Sequence, residues 1–183
     1  MKKNTLCPSL GLIFPGQGSQ KVGMLSDLAK NHPVIIETFS EASDSLSYDL
    51  WDLSQNGTKE DIMLTERTQP LLLTASVAIW RLWCKSGGPS PAYMAGHSLG
   101  EWSALVCSGV VSFDAAVRLV RKRGAYMQDA VPLGAGAMAA VIGLDDEIIQ
   151  CICLASSKGK EDSAVNFNYT VQVSVSCYRY DGN

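Results

Sequence analysis

The spacing of hydrophobic positions predicts strands and helices that alternate along the first 130 residues. Short apolar runs predict a buried strand at 10–14 and a short strand at 92–95, each followed by a glycine-containing segment. Apolar residues at helical spacing predict helices over 33–46, 101–108 and 112–130. A further helix is expected to begin with Thr68 as its cap and Pro70 in its first turn, and to continue to about Cys84. This order predicts an α/β body.

The pattern changes after Gly134-Ala135-Gly136. A strand is predicted over 137–143, a helix over 145–155 and a polar loop over 156–162. A half-buried strand is then indicated by alternating apolar residues at Val171, Val173, Val175 and Cys177. We therefore predict two domains, an α/β body over 1–133 and a smaller β-α-β unit over 134–183.

The composition narrows the classes of protein that fit. Of the 183 residues, 46% are hydrophobic and 18% are charged, which excludes a disordered chain. The 15 basic against 18 acidic residues give a net charge of −3, which argues against a nucleic-acid partner. The six cysteines include no C-x-x-C pair, which argues against zinc and indicates a reducing, cytoplasmic location. No apolar run reaches the roughly 18 residues of a membrane span, so no membrane partner is expected.

The sharpest chemical feature is Gly96-His97-Ser98-Leu99-Gly100, a G-x-S-x-G motif between a predicted strand and a predicted helix. In that context the serine lies on a tight turn with its hydroxyl exposed, and the Leu99 amide can bind an oxyanion at the start of the helix. An ordinary Gly-Ser turn is the alternative. The flanking strand and helix favour a nucleophile.

A second glycine loop, Phe14-Pro15-Gly16-Gln17-Gly18-Ser19-Gln20, follows the first strand. Lys21 stands where a dinucleotide-binding motif needs its third glycine, and no Gly-Lys-Ser/Thr follows, so neither phosphate-binding motif is present. Gln17 could offer a neutral donor to a substrate oxygen. By itself the segment is more typical of a plain turn.

Arg123 is unusual because it falls on the apolar side of the predicted helix 112–130. At 100° per residue this arc holds Phe113, Ala116, Val117, Leu119, Val120, Tyr126 and Met127. The opposite face carries Arg118, Arg121 and Lys122, for which a solvated surface is favoured over a docking patch. A guanidinium on an apolar face needs a partner. Either an internal carboxylate or a carboxylate on a substrate would serve, and the spacing does not choose between them.

The chain has two histidines, and neither fits the role of base for Ser98. The side chain of His97 should leave the turn in a different direction from its neighbour, and His32 beside Pro33 is typical of a helix start. Serine nucleophiles generally need an adjacent base.

The motifs together resemble the malonyl-CoA:acyl carrier protein transacylases of fatty-acid synthesis, and polyketide acyltransferase domains share several of them. The resemblance runs from about residue 10 to residue 168. The segments that carry it are 14–20, Thr68-Gln69-Pro70, Gly96 to Glu101, Arg121 to Gln128 and Gly134 to Ala140.

The resemblance implies a role for each matched position. Ser98 would take the malonyl group from CoA as an ester, and Gln17 with the Leu99 amide would form the oxyanion hole. Arg123 would bind the malonyl carboxylate, which selects malonyl over acetyl groups, and His97 would contact substrate. The family implies an α/β-hydrolase-like body with a ferredoxin-like subdomain beginning near Gly134. Malonyl-CoA and acyl carrier protein are the implied substrate and partner, without a metal or other cofactor.

The sequence departs from the family in one respect. Members are considerably longer, and their catalytic histidine lies beyond the last residue of this chain. The family pattern is kept through Val165-Asn166-Phe167-Asn168 and is lost over 169–183, as a frameshift would produce. The coding DNA after Asn168 tests that hypothesis.

Three functions are therefore open. The first is malonyl transfer to a carrier protein. The second is a serine thioesterase or other hydrolase. The third is a catalytically impaired fragment that at most binds acyl-CoA or a partner.

Overall fold

The computed structural model describes residues 5–130, 136–157, 161–169 and 172–178. These residues divide into two compact units, 1–127 and 128–183. The helices are α1 (Ser26–Asn31), α2 (Pro33–Leu46), α3 (Leu50–Asn56), α4 (Lys59–Met63), α5 (Thr65–Lys85), α6 (Leu99–Cys107), α7 (Phe113–Ala130) and α8 (Asp146–Ser156). The strands are β1 (Leu6–Phe14), β2 (Ser90–Gly96), β3 (Gly136–Ile142), β4 (Glu161–Tyr169) and β5 (Gln172–Tyr178).

Strands β1 and β2 pair in parallel in the first unit, with Phe14 opposite Gly96 at their carboxyl ends. Both predicted strands are present and are longer than their apolar runs, but the prediction that the first is buried is wrong, because only Phe14 of β1 is buried. On one face of the pair, Leu12 and Met94 pack against the core; on the other, Ile13 and Tyr93 are 85% and 75% exposed. Because the strands end side by side, the glycine loop after β1 and the serine turn after β2 lie at the same edge.

The core of this unit lies among α2, α5, α6 and α7. Helix α2 has the predicted bounds, and its apolar stripe buries Ile35, Phe39 and Leu46. Helix α5 buries every residue from Thr68 through Ala78, so it is surrounded on all sides over this stretch. Within the described ranges, none of the helices combines the length and apolar character that crossing a bilayer requires.

The predicted start of α5 at Thr68 is wrong. The helix begins at Thr65, and Pro70 lies inside it rather than in its first turn. The Leu64 carbonyl already accepts the amides of Arg67 and Thr68, each at 2.8 Å, so the chain is helical before Thr68 is reached. The Thr68 hydroxyl is buried and donates to the carbonyl oxygens of Ile62 and Leu64 at 2.6 and 3.0 Å, and it does not cap the helix.

Helices α1, α3 and α4 were not predicted, because five to seven residues are too few to show a helical period. For α3 and α4, the capping residues were the available signal. The Asp49 carboxylate accepts the Asp52 amide at 2.8 Å at the start of α3. Thr58 and Asp61 form a capping box at the start of α4.

The apolar arc predicted for α7 is too broad. The buried residues are Phe113, Ala116, Val117, Val120 and Gly124. Leu119, Tyr126 and Met127 are 46%, 70% and 43% exposed: Leu119 and Tyr126 lie beside this narrower stripe, and Met127 lies in the last turn of the helix. The basic face is solvated, as predicted: Arg118, Arg121 and Lys122 are exposed, and Arg118 pairs with Asp114.

Gly124 allows α7 to pack closely against the start of α5. A Cβ at this position would lie 2.5 Å from the Thr65 carbonyl oxygen and 2.7 Å from the Glu66 Cα. Both of these are backbone atoms, which cannot rotate away as a side chain can. The contact therefore depends on a residue without a side chain.

We expect Gly124→Ala to lower the free energy of unfolding by about 1–3 kcal/mol, because the added methyl overpacks this contact. Alanine's better helix propensity offsets about 1 kcal/mol at most, so destabilisation should prevail. Urea denaturation measures the change, with Lys122→Ala on the exposed face as the control. A variant as stable as the wild type would show that the helices do not need glycine here.

The second unit contains a three-stranded antiparallel sheet in the order β3-β5-β4. Ile149 and Cys153 of α8 are buried, with Val141 and Ala164 packed against them. The predicted strand at 137–143 and helix at 145–155 are confirmed to within one residue, but β4 was taken in part for a loop and was otherwise missed. Val173, Val175 and Cys177 lie in β5, as predicted, whereas Val171 and the predicted domain boundary at residue 133 fall outside the described residues.

Candidate active site

Ser98 is the one residue between strand β2 and helix α6 that has a strained backbone. Its φ of 52° and ψ of −105° lie outside the regions that L-residues normally occupy, and its side chain is exposed. Strand β2 ends at Gly96 and α6 begins at Leu99, so the strand-turn-helix predicted for the G-x-S-x-G motif is confirmed. Strain of this kind costs about 1–3 kcal/mol and persists where the surrounding structure enforces it.

The glycines on either side of Ser98 hold the turn against its neighbours. A Cβ at Gly100 would lie 2.2 Å from the Phe14 carbonyl oxygen, and one at Gly96 would lie 2.0 Å from the Gly100 carbonyl carbon. Larger residues would push α6 away from the end of β1. The spacing of the motif therefore follows from backbone packing as well as from chemistry.

The Leu99 amide lies in the first turn of α6, where backbone N–H groups have no acceptor within the helix. The Leu99 side chain is 1% exposed and anchors the turn in the core. The next two amides, of Gly100 and Glu101, donate to the carbonyl oxygens of His97 and Ser98 at 2.9 and 3.3 Å. The start of this helix therefore has the positive end of its dipole beside the Ser98 hydroxyl.

Arg123 reaches the serine from helix α7. Its Nη2 donates to Ser98 Oγ at 3.0 Å, and its Nη1 donates to Gln69 Oε1 at 2.8 Å. Among the described residues, no carboxylate forms an ion pair with Arg123. The sequence left two candidate partners for Arg123, an internal carboxylate and a carboxylate on a substrate. The described residues do not supply the internal one. The two side chains to which the structure bonds the guanidinium, Gln69 and Ser98, are both neutral.

The glycine loop after β1 lies against the serine turn. A Cβ at Gly16 would lie 2.9 Å from the His97 carbonyl oxygen, so the two segments touch through their backbones. Gln17, the next residue, is exposed, and its Nε2 donates to Thr65 Oγ1 at 3.3 Å. The structure thus places Gln17 beside the turn but gives it no contact with Ser98.

Neither histidine contacts Ser98 in the described part of the chain. The His97 side chain is exposed, and its Nδ1 lies 3.3 Å from the Cβ position built at Gly16, toward the glycine loop. His32 is the N-cap residue of α2, which confirms its predicted place at a helix start. A base for the serine is not supplied by these two residues.

The cysteines near the core are poor alternative nucleophiles. Burial raises the pKa of Cys107 to about 12, and burial also raises the pKa of Cys84. Both thiols are therefore protonated near neutral pH, whereas the thiolate is the reactive form. The exposed Ser98 remains the residue with the strongest nucleophile geometry.

Gln69 belongs to this site but was not given a role from the sequence. It stands within the motif Thr68-Gln69-Pro70, and a carboxamide inside an almost continuously apolar helix was the available signal. Its side chain is 0% exposed and contacts both Arg123 and Met127.

Comparison with known proteins gives consistent matches. The model of the family described as "Acyl transferase domain" matches residues 12–167. A malonyl CoA-acyl carrier protein transacylase from Escherichia coli strain K12 is 57% identical over 167 residues, which cover 91% of this chain and 54% of that protein. The chain thus spans about half the length of the curated relatives it matches.

Solved structures match in fold as well. An acyl carrier protein S-malonyltransferase from Vibrio cholerae has a TM-score of 0.84 and 55% identity, with 92% of this chain and 55% of that one covered. A malonyl-transacylase solved in complex with a type II polyketide acyl carrier protein has a TM-score of 0.87 and 53% identity. The match covers 95% of this chain and 55% of that one. The α/β fold predicted from the sequence is confirmed.

Proposed function

Because the chain belongs to the acyl transferase domain family, we propose that it transfers a malonyl group from malonyl-CoA to the phosphopantetheine thiol of an acyl carrier protein. The acyl group would be carried on Ser98 as an ester. The observation that carries the proposal is the 3.0 Å contact between Ser98 Oγ and the Arg123 guanidinium, which forms no ion pair with any carboxylate of the described residues. The similar proteins are named for the same reaction.

The contact between Arg123 and Ser98 favours a substrate whose acyl group carries a negative charge. A guanidinium binds a carboxylate through two parallel hydrogen bonds, which fixes both distance and orientation. A malonyl group has a carboxylate one carbon from its thioester carbonyl, so a group bound to Arg123 would present that carbonyl to the neighbouring serine. An acetyl group would leave the cation without its partner.

The reaction consists of two displacements. Ser98 Oγ attacks the thioester carbonyl, and the CoA thiol leaves with the serine proton. The carrier thiol then attacks the ester and returns its proton to Ser98 Oγ. In both steps the tetrahedral oxyanion would be bound by the Leu99 amide and by Gln17 Nε2, which would exchange its 3.3 Å bond to Thr65 for the oxyanion.

This scheme uses side chains and backbone amides and needs no metal or other cofactor. His97 would contact the substrate from beside the serine. The base that accepts the serine proton is, by resemblance, a histidine in the part of the longer family members that this chain does not cover. The described histidines do not contact Ser98, so turnover depends on a group outside the described contacts.

The finer fold assignments belong to the same proposal. Elements β3, α8, β4 and β5, in the sheet order β3-β5-β4, correspond to the first four elements of a ferredoxin-like β-α-β-β-α-β unit. The parallel β1–β2 pair with a serine turn is typical of an α/β-hydrolase-like body. Free thiols on Cys7, Cys84, Cys107, Cys151 and Cys153 support a reducing compartment such as the cytoplasm.

A loading and transfer experiment tests the function. The chain is incubated with malonyl-CoA, freed of excess CoA ester, and mixed with a carrier protein that bears phosphopantetheine; intact masses of both proteins are then recorded. We expect one malonyl group on the chain, followed by its appearance on the carrier. Loss of the group to water while the carrier stays bare would identify a hydrolase. A folded chain without any adduct would identify a fragment that does not catalyse the first step.

A further inference from the structure

Gln69 makes two side-chain hydrogen bonds from a fully buried position in α5. Its Oε1 accepts from Arg123 Nη1 at 2.8 Å, and its Nε2 donates to Met127 Sδ at 3.2 Å. The residue is 0% exposed and lies between Thr68 and Pro70 in the most buried stretch of the helix. A buried carboxamide is stable only when its polar atoms have partners, and here both ends of the amide have one.

The two contacts fix the orientation of the amide. Arginine offers only donors, so the atom facing it must be the carbonyl oxygen, and a thioether sulfur can only accept, so the atom facing Met127 is the nitrogen. Because both partners are on α7, the amide holds one edge of the guanidinium in place. The other edge of the guanidinium does not contact Gln69, and its Nη2 donates to Ser98 Oγ.

The neutrality of Gln69 matters as much as its position. A carboxylate of the same size would bind the guanidinium more strongly, but it would also cancel the charge that a substrate carboxylate needs. The amide orients the cation without neutralising it. The close contact of Gly124 with Thr65 brings α7 near enough to α5 for this bond to form.

We propose that Gln69 is a positioning residue for the malonyl site, which aims Arg123 at the acyl group while leaving its charge unpaired. This inference rests on the proposed function. Selectivity for an anionic acyl group then depends on two residues on different helices: Arg123, which is charged, and Gln69, which must be neutral. Gln69 itself touches neither the serine nor the substrate.

Two substitutions separate the two aspects of this role. Gln69→Glu keeps the size and an acceptor but adds a charge, and Gln69→Met keeps the approximate volume but replaces the carbonyl oxygen by a thioether sulfur, which is a much weaker acceptor. We expect Gln69→Glu to raise the malonyl-CoA concentration for half-maximal loading by about 10-fold or more, since a charge-assisted bond must be broken. The maximal malonyl loading rate and the acetyl-CoA loading rate should change less than about threefold, since neither depends on a free guanidinium charge.

Gln69→Met should also weaken malonyl loading by about 10-fold, because Arg123 loses the partner that orients it. Gln55→Glu is the control, since its carboxamide is partly buried and is likewise hydrogen-bonded, to the Met24 carbonyl and Ser54 Oγ, but lies outside the site. The control should leave the ratio of malonyl to acetyl loading unchanged. Equal effects of the Gln69 variants on malonyl and acetyl loading, or no effect on either, would overturn the proposal.

A second measurement does not depend on catalysis. In NMR spectra of the arginine-labelled chain, the guanidinium protons of Arg123, assigned by their loss in Arg123→Lys, should exchange slowly with water, and Gln69→Met should remove that protection. Unchanged exchange in Gln69→Met would overturn the positioning role. A wild-type chain that forms no acyl adduct would overturn the proposed function instead, and the exchange result would then decide the positioning role alone.

Discussion

Arg123→Ala is expected to reduce malonyl loading of Ser98 by about 100- to 4000-fold, while acetyl loading falls less than about threefold. Removing one partner of a desolvated ion pair costs about 3–5 kcal/mol, and every 1.4 kcal/mol corresponds to a factor of ten. The ion pair exists only with a substrate that carries a carboxylate, so only malonyl loading should suffer. Loading rates with both CoA esters, measured by intact mass, give the two ratios.

A lysine at the same position distinguishes charge from geometry. Arg123→Lys keeps the positive charge but lacks the fork that binds a carboxylate through two bonds. We expect its malonyl loading to lie between those of the wild type and Arg123→Ala. If malonyl and acetyl loading fell together in Arg123→Ala, the arginine would be structural, and its bonds to Gln69 and Ser98 would serve packing alone.

Ser98→Ala should abolish the acyl adduct altogether, because the ester oxygen is removed. The matched control is Ser108→Ala: Ser108 is an exposed serine at the other end of α6, and its Oγ bonds only to the Leu105 carbonyl. The control should load as the wild type does. An adduct that persisted on Ser98→Ala would show that a different group is acylated.

Ser98→Gly adds a test of the strained turn. Glycine adopts a φ of 52° and a ψ of −105° without the clash that a Cβ causes. We expect Ser98→Gly to be inactive like Ser98→Ala but more stable than it by about 1 kcal/mol, since relief of strain exceeds glycine's added chain entropy. Equal stability of the two variants in urea would mean that the turn stores no strain.

The sequence predicts those parts of the fold that are locally determined. The bounds of α2 follow from Pro33 and one apolar stripe, and the strand-turn-helix around Ser98 follows from a short motif. The start of α5 was wrong because Thr68 and Pro70 are typical of a first turn, whereas the chain is already helical at Thr65. That outcome depends on the preceding helix and could not be found in the local pattern.

The partner of Arg123 could not be predicted for a different reason. Helical spacing places the arginine at the margin of an apolar face, but it says nothing about which helix lies opposite. Gln69 is 54 positions away, and the bond between them depends on two helices that approach through Gly124. Spacing along one helix identifies the need for a partner, and only the packing of two helices identifies the partner.

The glycines at 96, 100 and 124 help to decide whether a related gene product keeps a working site. Each lies against backbone at a distance that a Cβ could not occupy, and together they place Ser98 and Arg123 within one hydrogen bond of each other. A homologue could keep both functional residues and still lose the site through one alanine at any of these positions. In a survey of such genes, the glycine positions are therefore as informative as the residues that carry the chemistry.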